Sequence, residues 1–257
     1  MPSRRNRFSE APHDPPPRVI GHRGAAGHAP ENTLIAIRTA ADLGVAWVEF
    51  DVKLSADGVP VLFHDDTLER TTDGRGRVAN HSVDQLSELD AGRWFGRDFA
   101  GESIPSLDNA MALLAAKGLG ANVEIKPTKG HDAETGHVVG AALAKRWPDS
   151  LPPPLISSFS TPALKAAAEA APALRRALLV FGVPDDWRRR MEDLDCVALH
   201  CLSRKLREGR AREIIAAGYT LRCFTVNRPG RARQLLAWGV DGIISDYPDR
   251  ILKTLAG

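Results

Sequence analysis

The chain has 257 residues, of which 43% are hydrophobic and 26% are charged, and its formal net charge at pH 7 is +2. A net charge this small, with acidic and basic residues interspersed, argues against general nucleic-acid binding, which needs a strongly positive surface. No apolar stretch approaches the roughly 18 residues of a membrane-spanning helix, and no apolar signal-peptide core follows the basic N-terminus, so we expect a soluble, cytoplasmic protein without stable membrane insertion.

The first 17 residues are rich in proline and arginine and contain few large apolar residues. Such a segment cannot bury enough apolar surface to offset the entropy that it would lose on ordering. We therefore predict a flexible tail over residues 1–17, with no function of its own.

From Arg18 onward, short apolar runs of β type alternate with segments of helical periodicity. The runs are VIGH (19–22), AWVEFDV (46–52), VPVLFH (59–64), ANVEIK (121–126), PLISSF (154–159), RALLVF (176–181), CVALH (196–200), YTLRCFTV (219–226) and DGIIS (241–245). Helix candidates end on Gly44, Gly118 and Gly218, as helices often do. This alternation predicts βαβ units and a parallel sheet, so the fold class is α/β, with a single (β/α)₈ TIM barrel over residues 18–257 rather than two domains.

Nine strand candidates compete for the eight places of such a barrel. One of the runs 176–181 and 196–200 is therefore expected to lie outside it. The segment from about residue 66 to 105 is rich in Gly, Arg and Asp and stands where a strand-to-helix loop should be. We predict that it forms a small inserted subdomain after the third strand.

The link KLSADG (53–58) between the second and third runs is too short for a helix. If both flanking strands run parallel, this link must descend as an extended ribbon that turns at Asp57-Gly58. That path would gather Glu49, Asp51 and His64 at one rim of the barrel.

Three carboxylates, Glu49, Asp51 and Glu124, interrupt otherwise apolar strands. An unpaired charge there is costly, and a bound cation is the simplest relief. Glu49 and Asp51 are two residues apart and share one face of a strand, and Glu124 can join them from another strand. Because oxygen ligands alone suit hard ions, we predict one divalent cation, Mg²⁺ or Ca²⁺, as cofactor. The alternative is that these carboxylates form buried salt bridges with Arg23 and Lys126.

His22 and His64 each end an apolar run, and barrel active sites form at the carboxyl ends of strands. Two histidines that face a common metal can divide acid and base work between them, which suits a displacement at phosphorus. Arg23 offers a planar fork for phosphate oxygens, and Lys126 offers a compact charge for the same anion. For both cations, the alternative role is to balance the charge of the carboxylates.

A series of short strings, in this order along residues 18 to 250, resembles the signature of the glycerophosphodiester phosphodiesterase family. The strings are His22-Arg23-Gly24, Glu31-Asn32-Thr33, Glu49-Phe50-Asp51-Val52, Asp57-Gly58, His64-Asp65, Leu68-x-Arg70-Thr71-Thr72, Glu124-Ile125-Lys126, Ser157-Ser158-Phe159, Thr225-Val226-Asn227, and Asp241-Gly242 with Ser245-Asp246. Each string is weak alone, but their ordered combination is specific. The resemblance implies a phosphatidylinositol-phospholipase-C-like TIM barrel.

The resemblance also implies an activity, the metal-dependent hydrolysis of small-molecule glycerophosphodiesters to sn-glycerol 3-phosphate and an alcohol, in glycerophospholipid degradation. By motif matching, the metal ligands would be Glu49, Asp51 and Glu124, the acid and base would be His22 and His64, and the phosphate ligands would be Arg23 and Lys126.

One position departs from the family pattern, because Phe224 stands before Thr-Val-Asn where such enzymes commonly have Trp. Phe224 can still pack against a glycerol or head group, although a core-packing role is equally compatible with the sequence. The sequence also leaves open action on phospholipids or lysophospholipids, and a barrel that binds phosphorylated ligands without catalysis. It does not indicate an oligomeric state.

Overall fold

The structure is a computed structural model that describes residues 17–256. The flexible tail predicted for residues 1–17 lies outside this range, apart from Pro17. The strands are β1 (Val19–His22), β2 (Trp47–Leu54), β3 (Pro60–Leu62), β4 (Gly120–Ile125), β5 (Leu155–Ser158), β6 (Arg175–Val180), β7 (Ala198–Leu202), β8 (Thr220–Phe224) and β9 (Gly242–Ser245). The helices are α1 (Leu34–Asp42), α2 (Val83–Ser87), α3 (Leu107–Lys117), α4 (Asp132–Arg146), α5 (Thr161–Ala170), α6 (Trp187–Asp193), α7 (Glu208–Ala216), α8 (Pro229–Ala237) and α9 (Pro248–Ala256).

Eight strands close into a parallel barrel, which confirms the single TIM barrel expected from the sequence. The sheet runs in the order β1-β9-β8-β7-β6-β5-β4-β2-β3, and an additional pairing of β1 with β2 closes it. Every pairing within the closed barrel is parallel.

The extra strand is β3, so the expectation that 176–181 or 196–200 lies outside the barrel is wrong. β6 and β7 both take places in the barrel, whereas β3 lies outside it and pairs with the end of β2. The pairing of β3 is antiparallel, so the link between β2 and β3 is a hairpin and does not descend as a ribbon between parallel strands. Gly58 adopts a left-handed φ of +75° in this turn. Because β2 extends beyond its barrel neighbours to Leu54, the return strand brings His64 back to the rim.

The barrel strands alternate between an apolar outer face and a more polar interior. On β2, Val48, Phe50 and Val52 belong to the large hydrophobic core that packs between strands and helices. Since successive side chains on a strand point to opposite faces, Glu49 and Asp51 point into the barrel.

A small inserted subdomain follows β3, as expected from the sequence, and it contains α2 and two 3₁₀ turns. Its own apolar cluster consists of Val61, Phe63, Leu68, Val78, Leu86, Ala91 and Ile104. The subdomain is joined to the hairpin, because the Val83 N–H donates to Asp57 Oδ1 at 3.0 Å and the Ala56 N–H donates to the His81 carbonyl at 2.8 Å. Within residues 17–256, no helix has the length and apolar character needed to cross a membrane.

Candidate active site

The carboxyl ends of the first strands bring the polar residues singled out in the sequence to one rim. His22 is the last residue of β1, Glu49 and Asp51 lie on β2, and Glu124 lies on β4. His64 follows β3, and the N–H of the preceding residue donates to the Asp51 carbonyl at 3.1 Å. The Nε2 atom of His22 lies 3.9 Å from Glu49 Oε2. The antiparallel return of β3 thus produces the predicted gathering by a different path.

Three buried carboxylates form the centre of this site. One oxygen from each of Glu49, Asp51 and Glu124 lies within 4.8 Å of the other two. Burial and the neighbouring Asp51 raise the pKa of Glu124 to about 7. Burial, together with the negative charges of Asp51 and Glu124, raises the pKa of Glu49 well above its ordinary value. Burial opposes ionisation of Asp51 as well, but Arg23 and Lys126 lower the pKa of Asp51 below its ordinary value.

This carboxylate set fits a hard divalent cation. Among the described residues, the buried Oε1 atom of Glu49 has no hydrogen-bond partner. A buried oxygen of this kind costs free energy unless something binds it, and the cluster consists of oxygen donors without cysteine. A cation would also reduce the repulsion that raises the pKa values of Glu49 and Glu124.

Two cations contact the same carboxylates. Arg23 Nε lies 3.2 Å from Asp51 Oδ2, and Arg23 Nη1 donates to Glu31 Oε1 at 2.6 Å. Lys126 Nζ donates to Glu124 Oε1 at 2.9 Å and lies 3.4 Å from Asp51 Oδ1. The charge-balancing role that the sequence left open is therefore present for both side chains. Their side chains keep 16% and 23% of their surface exposed, respectively, so both can still meet a ligand at the rim.

A carboxylate from the end of the barrel orients His22. Its Nδ1 atom lies 2.5 Å from Asp246 Oδ1. Asn227 holds this carboxylate, because its Nδ2 donates to Asp246 Oδ2 at 2.6 Å and its Oδ1 accepts the Asp246 N–H at 2.9 Å. Burial opposes ionisation of Asp246, but the hydrogen bond from His22 lowers the pKa of this carboxyl below its ordinary value. An ionised Asp246 can only accept, so Nδ1 carries the proton and Nε2 faces the carboxylates.

A longer ionic chain orients His64. Its Nδ1 lies 2.5 Å from Asp65 Oδ1, and Arg70 Nε donates to Asp65 Oδ2 at 2.5 Å. Arg70 also forms a bidentate pair with Glu31, at 2.8 and 2.7 Å. The hydrogen bond from Arg70 lowers the pKa of Asp65 below its ordinary value. Burial lowers the pKa of His64 itself, with help from the positive charges of Arg23 and Lys126 and against the opposing charge of Asp51.

The loop after β1 holds two non-glycine residues in the left-handed backbone region. Arg23 has a φ of +49° and Asn32 a φ of +58°. This conformation is unfavourable for residues with a side chain. Hydrogen bonds to the carboxylates offset it. Asn32 Nδ2 donates to Asp51 Oδ2 at 2.9 Å, Asn32 Oδ1 accepts the Asp51 N–H at 3.1 Å, and the Arg23 N–H donates to Glu49 Oε2 at 3.0 Å. The loop therefore fixes two of the three carboxylates.

An aromatic shelf, defined as Phe159, Phe181 and Phe224, lies at the ends of β5, β6 and β8. The Phe159 and Phe181 rings stack with centroids 4.6 Å apart, and Phe224 meets Phe159 edge to face at 5.8 Å. Lys126 Nζ lies 5.6 Å from the centroid of Phe159, which connects the shelf to the carboxylates. Phe224 is only partly buried, and Phe181 is 60% exposed. The shelf is an apolar surface beside a charged site.

The sequence does not connect several residues with the histidines that they hold. These residues are Glu31, Asp65, Arg70, Asn227 and Asp246. Three of them have a signal that could have been used, because Asp65, Asn227 and Asp246 directly follow an apolar run, as the chosen residues do. Their partners could not be inferred in the same way, since His22 and Asp246 are 224 positions apart.

Comparison with known proteins gives a consistent result. The family model described as glycerophosphoryl diester phosphodiesterase matches residues 22–250. The glycerophosphodiester phosphodiesterase of Caldanaerobacter subterraneus subsp. tengcongensis is 32% identical over 242 residues, which cover 91% of this chain and 96% of the relative. That of Bacillus subtilis is 30% identical over 263 residues, which cover 93% of this chain and 86% of the relative.

Solved structures agree with the sequence relatives. An Oleispira antarctica phosphodiesterase, solved in complex with the product sn-glycerol 3-phosphate, is similar with a TM-score of 0.91 and 41% identity, covering 94% of this chain and 97% of that one. A glycerophosphodiester phosphodiesterase from Agrobacterium tumefaciens is similar with a TM-score of 0.75 and 27% identity, covering 92% and 99% of the two chains.

Proposed function

The chain belongs to the glycerophosphoryl diester phosphodiesterase family and is a phosphoric diester hydrolase, and on this premise we propose that it hydrolyses glycerophosphodiesters to sn-glycerol 3-phosphate and an alcohol. The observation that carries the proposal is a pair of histidines, each held at Nδ1 by a carboxylate, beside the buried carboxylate cluster. The product bound to the Oleispira antarctica relative supports the assignment of sn-glycerol 3-phosphate.

We propose that Glu49, Asp51 and Glu124 hold one divalent cation, Mg²⁺ or Ca²⁺. When bound, such a cation polarises phosphoryl oxygens and offsets the negative charge that develops on them. Arg23 and Lys126 extend this positive surface toward the rim and would bind the remaining phosphate oxygens.

The two histidines divide the proton transfers. Because a carboxylate accepts from each Nδ1, each Nε2 is the nitrogen left for chemistry. One Nε2 accepts the proton of the attacking oxygen, and the other donates a proton to the leaving alcohol oxygen. His22 and His64 are the residues proposed for these roles, and their carboxylate partners stabilise the charged imidazolium form.

The aromatic shelf would contact the part of the substrate that lies beyond the phosphate. Phe224 and Phe159 present ring faces and edges next to Lys126, and Phe181 extends this surface toward solvent. An aromatic surface favours the carbon skeleton of a glycerol or head group, and ring faces also attract quaternary ammonium groups such as that of choline.

A turnover panel tests the proposal. The purified protein, treated with chelator and then supplied with Mg²⁺ or Ca²⁺, is incubated with glycerophosphocholine, glycerophosphoethanolamine, glycerophosphoglycerol and a lysophospholipid. The measured product is glycerol 3-phosphate for the glycerophosphodiesters and lysophosphatidic acid for the lysophospholipid. We expect release from the glycerophosphodiesters that depends on added metal. Full activity after chelation would refute the metal assignment, and turnover restricted to the lysophospholipid would refute the substrate class.

Two variants test the histidine assignment within the same assay. His22→Ala and His64→Ala should each abolish turnover while leaving the folded protein intact. The matched control is His131→Ala, which removes an exposed histidine paired with Glu134 at 2.8 Å on α4. Near-normal turnover in both site variants would refute the pairing.

A further inference from the structure

The barrel interior beneath the carboxylates is unusually polar. Asn122, Ser157, His200 and Arg222 lie on β4, β5, β7 and β8, and none is more than 3% exposed. The residue that precedes each of them on its strand belongs to the outer hydrophobic core, so these four side chains point inward. None of the four has a role in the reaction proposed above.

Strand register places these residues in two adjacent layers. Asn122 is the register partner of Glu49, Ser157 that of Glu124, and His200 that of Arg222. In an eight-stranded barrel, alternate strands contribute four inward side chains to each layer. The lower layer consists of Ile20, Asn122, Ala177 and Arg222. The layer above it, nearer the mouth, consists of Glu49, Ser157, His200 and Ile244.

This arrangement sets polar groups opposite one another across the barrel. By strand order, Asn122 faces Arg222 in the lower layer, and Glu49 faces His200 in the upper one. Ala177 is the smallest member of the lower layer, which leaves room beside Arg222. The upper layer contains Glu49, one of the proposed cation ligands, and the lower layer lies directly under it.

Most polar atoms in these layers lack a protein partner. Arg222 Nη1 donates to His200 Nε2 at 3.0 Å. Among the described residues, no partner is found for Arg222 Nε, His200 Nδ1, Ser157 Oγ, both amide atoms of Asn122, or Glu49 Oε1. Burial and the charge of Arg222 lower the pKa of His200 well below its ordinary value, so the ring is neutral and its Nδ1 carries the proton. Donors and acceptors are therefore both present.

Arg222 also has no carboxylate partner within salt-bridge distance in the described part of the chain. Burial lowers the pKa of Arg222 to about 10, so its guanidinium is charged at neutral pH. Buried polar and charged groups in proteins are almost always hydrogen-bonded to protein or to ordered water. Water is the partner that can both accept from Arg222 and donate to a carboxylate oxygen, and the second lone pair of that oxygen stays available for a cation.

We propose that Asn122, Ser157, His200 and Arg222 bind ordered water molecules that extend a hydrogen-bond network up to Glu49 Oε1, and that this network positions Glu49 as a metal ligand. Partners that hold a metal ligand from behind commonly set its orientation and so the metal affinity. The role of these residues is positioning, and the inference rests on the proposed cation site.

Metal affinity of the chelated protein gives the first test. Asn122→Leu removes two unpartnered polar atoms at similar volume, and it should weaken Mn²⁺ binding about tenfold by titration calorimetry. The melting temperature of the metal-free variant should stay close to that of the wild type, because the substitution removes two buried polar atoms that have no protein partner. Ser157→Ala should weaken Mn²⁺ binding in the same direction. The matched control is Ile244→Val, an apolar change in the same layer as Glu49, which should leave Mn²⁺ affinity unchanged.

A high-resolution crystal structure gives the second test. Density for ordered water bonded to Asn122 and Glu49 Oε1 is expected, and an interior in which these side chains bond directly to one another would overturn the proposal. A bromide peak beside Arg222 after a halide soak would also overturn the proposal, because it would identify an anion site. Unchanged Mn²⁺ affinity in both Asn122→Leu and Ser157→Ala would overturn it as well. Failure of the wild-type protein to bind Mn²⁺ would refute the cation site instead, while the density would still decide whether the waters are present.

Discussion

The hydrogen bond between Asp246 and His22 provides the sharpest test of the proposed chemistry. In Asp246→Asn the new side chain has one acceptor and one donor end. Asn227 Nδ2 donates to the Oδ2 position at 2.6 Å, so the amide oxygen should face Asn227 and the amide nitrogen should face His22 Nδ1. His22 Nδ1 must then accept, and its proton moves to Nε2. Nε2 faces the site and already carries the proton, so it can no longer accept one. In the imidazolium form, the Nδ1–H of His22 would also point at the N–H of the new amide.

The magnitude follows from a comparable exchange in Ser-His-Asp triads, which lowers kcat about 10⁴-fold, or about 5 kcal/mol. The side chain of Asp246 is 25% exposed, so water can partly replace the lost interaction. We therefore expect a loss of about 10³-fold in kcat, or about 4 kcal/mol. Asp246→Ala should be less damaging, about 10²-fold, because a water molecule that enters the space can accept from Nδ1.

The assay is the steady-state rate of glycerol 3-phosphate release from glycerophosphocholine, with the melting temperature as a check of folding. Nitrogen NMR of the labelled histidine reports the tautomer directly. Asp249→Asn is the matched control. It alters a His28–Asp249 pair, 2.7 Å apart, for which the described residues show no hydrogen bond to the three carboxylates, and kcat should stay within about twofold. The tautomer argument fails if Asp246→Ala loses as much activity as Asp246→Asn, or if Nδ1 keeps its proton in the amide variant.

Three further changes test the electrostatics and the shelf. Glu124→Gln should weaken Mg²⁺ binding yet stabilise the metal-free protein, because the folded pKa of Glu124, about 7, lies above its ordinary value of 4.5. The wild type therefore loses stability as pH rises from 4.5 through 7, whereas the neutral Gln does not. The difference in unfolding free energy between variant and wild type should grow over this range and level off above pH 7 at no more than about 3 kcal/mol, and a difference independent of pH would contradict this. Lys126→Met should raise the pKa of His64, so the limb of the kcat/KM profile that depends on His64 should move to higher pH, whereas the exposed Lys129→Met should leave both limbs in place. Phe181→Ala should raise the KM for glycerophosphocholine about fivefold, the value of an aromatic contact worth about 1 kcal/mol, with an unchanged melting temperature; an unchanged KM would remove Phe181 from the substrate surface.

Much of the fold and part of the site could be predicted because they depend on local pattern. Runs buried on both faces alternate with helical segments, which indicates a parallel sheet, and the alternation continues without a break after residue 18, which favours a single barrel. In a parallel barrel all strands end on one side, so polar residues such as Glu49, Asp51 and Glu124 at the ends of apolar runs must meet. The clustering of the three carboxylates therefore follows from the sequence once the strands are recognised.

The direction of a strand cannot be predicted in this way, because an apolar run has the same pattern whether its neighbour is parallel or antiparallel. The sequence pattern therefore predicts a barrel strand at 59–64 and places one of 176–181 and 196–200 outside the barrel. In the structure, β3 lies outside the barrel and returns antiparallel to β2. Only the tertiary structure decides this, since the length of β2 beyond its barrel neighbours determines where the chain turns.

The partners of the histidines also depend on closure of the barrel. Chemistry by His22 is suggested by its own place at a strand end, but its orientation depends on Asp246, which the last strand brings beside the first. Residue type and strand position are encoded locally, and the sequence alone was enough to nominate the charged groups. The sequence alone does not show which oxygen faces which nitrogen, or which buried atoms are left without a protein partner. Both depend on contacts between residues far apart in the chain, which only the folded barrel determines.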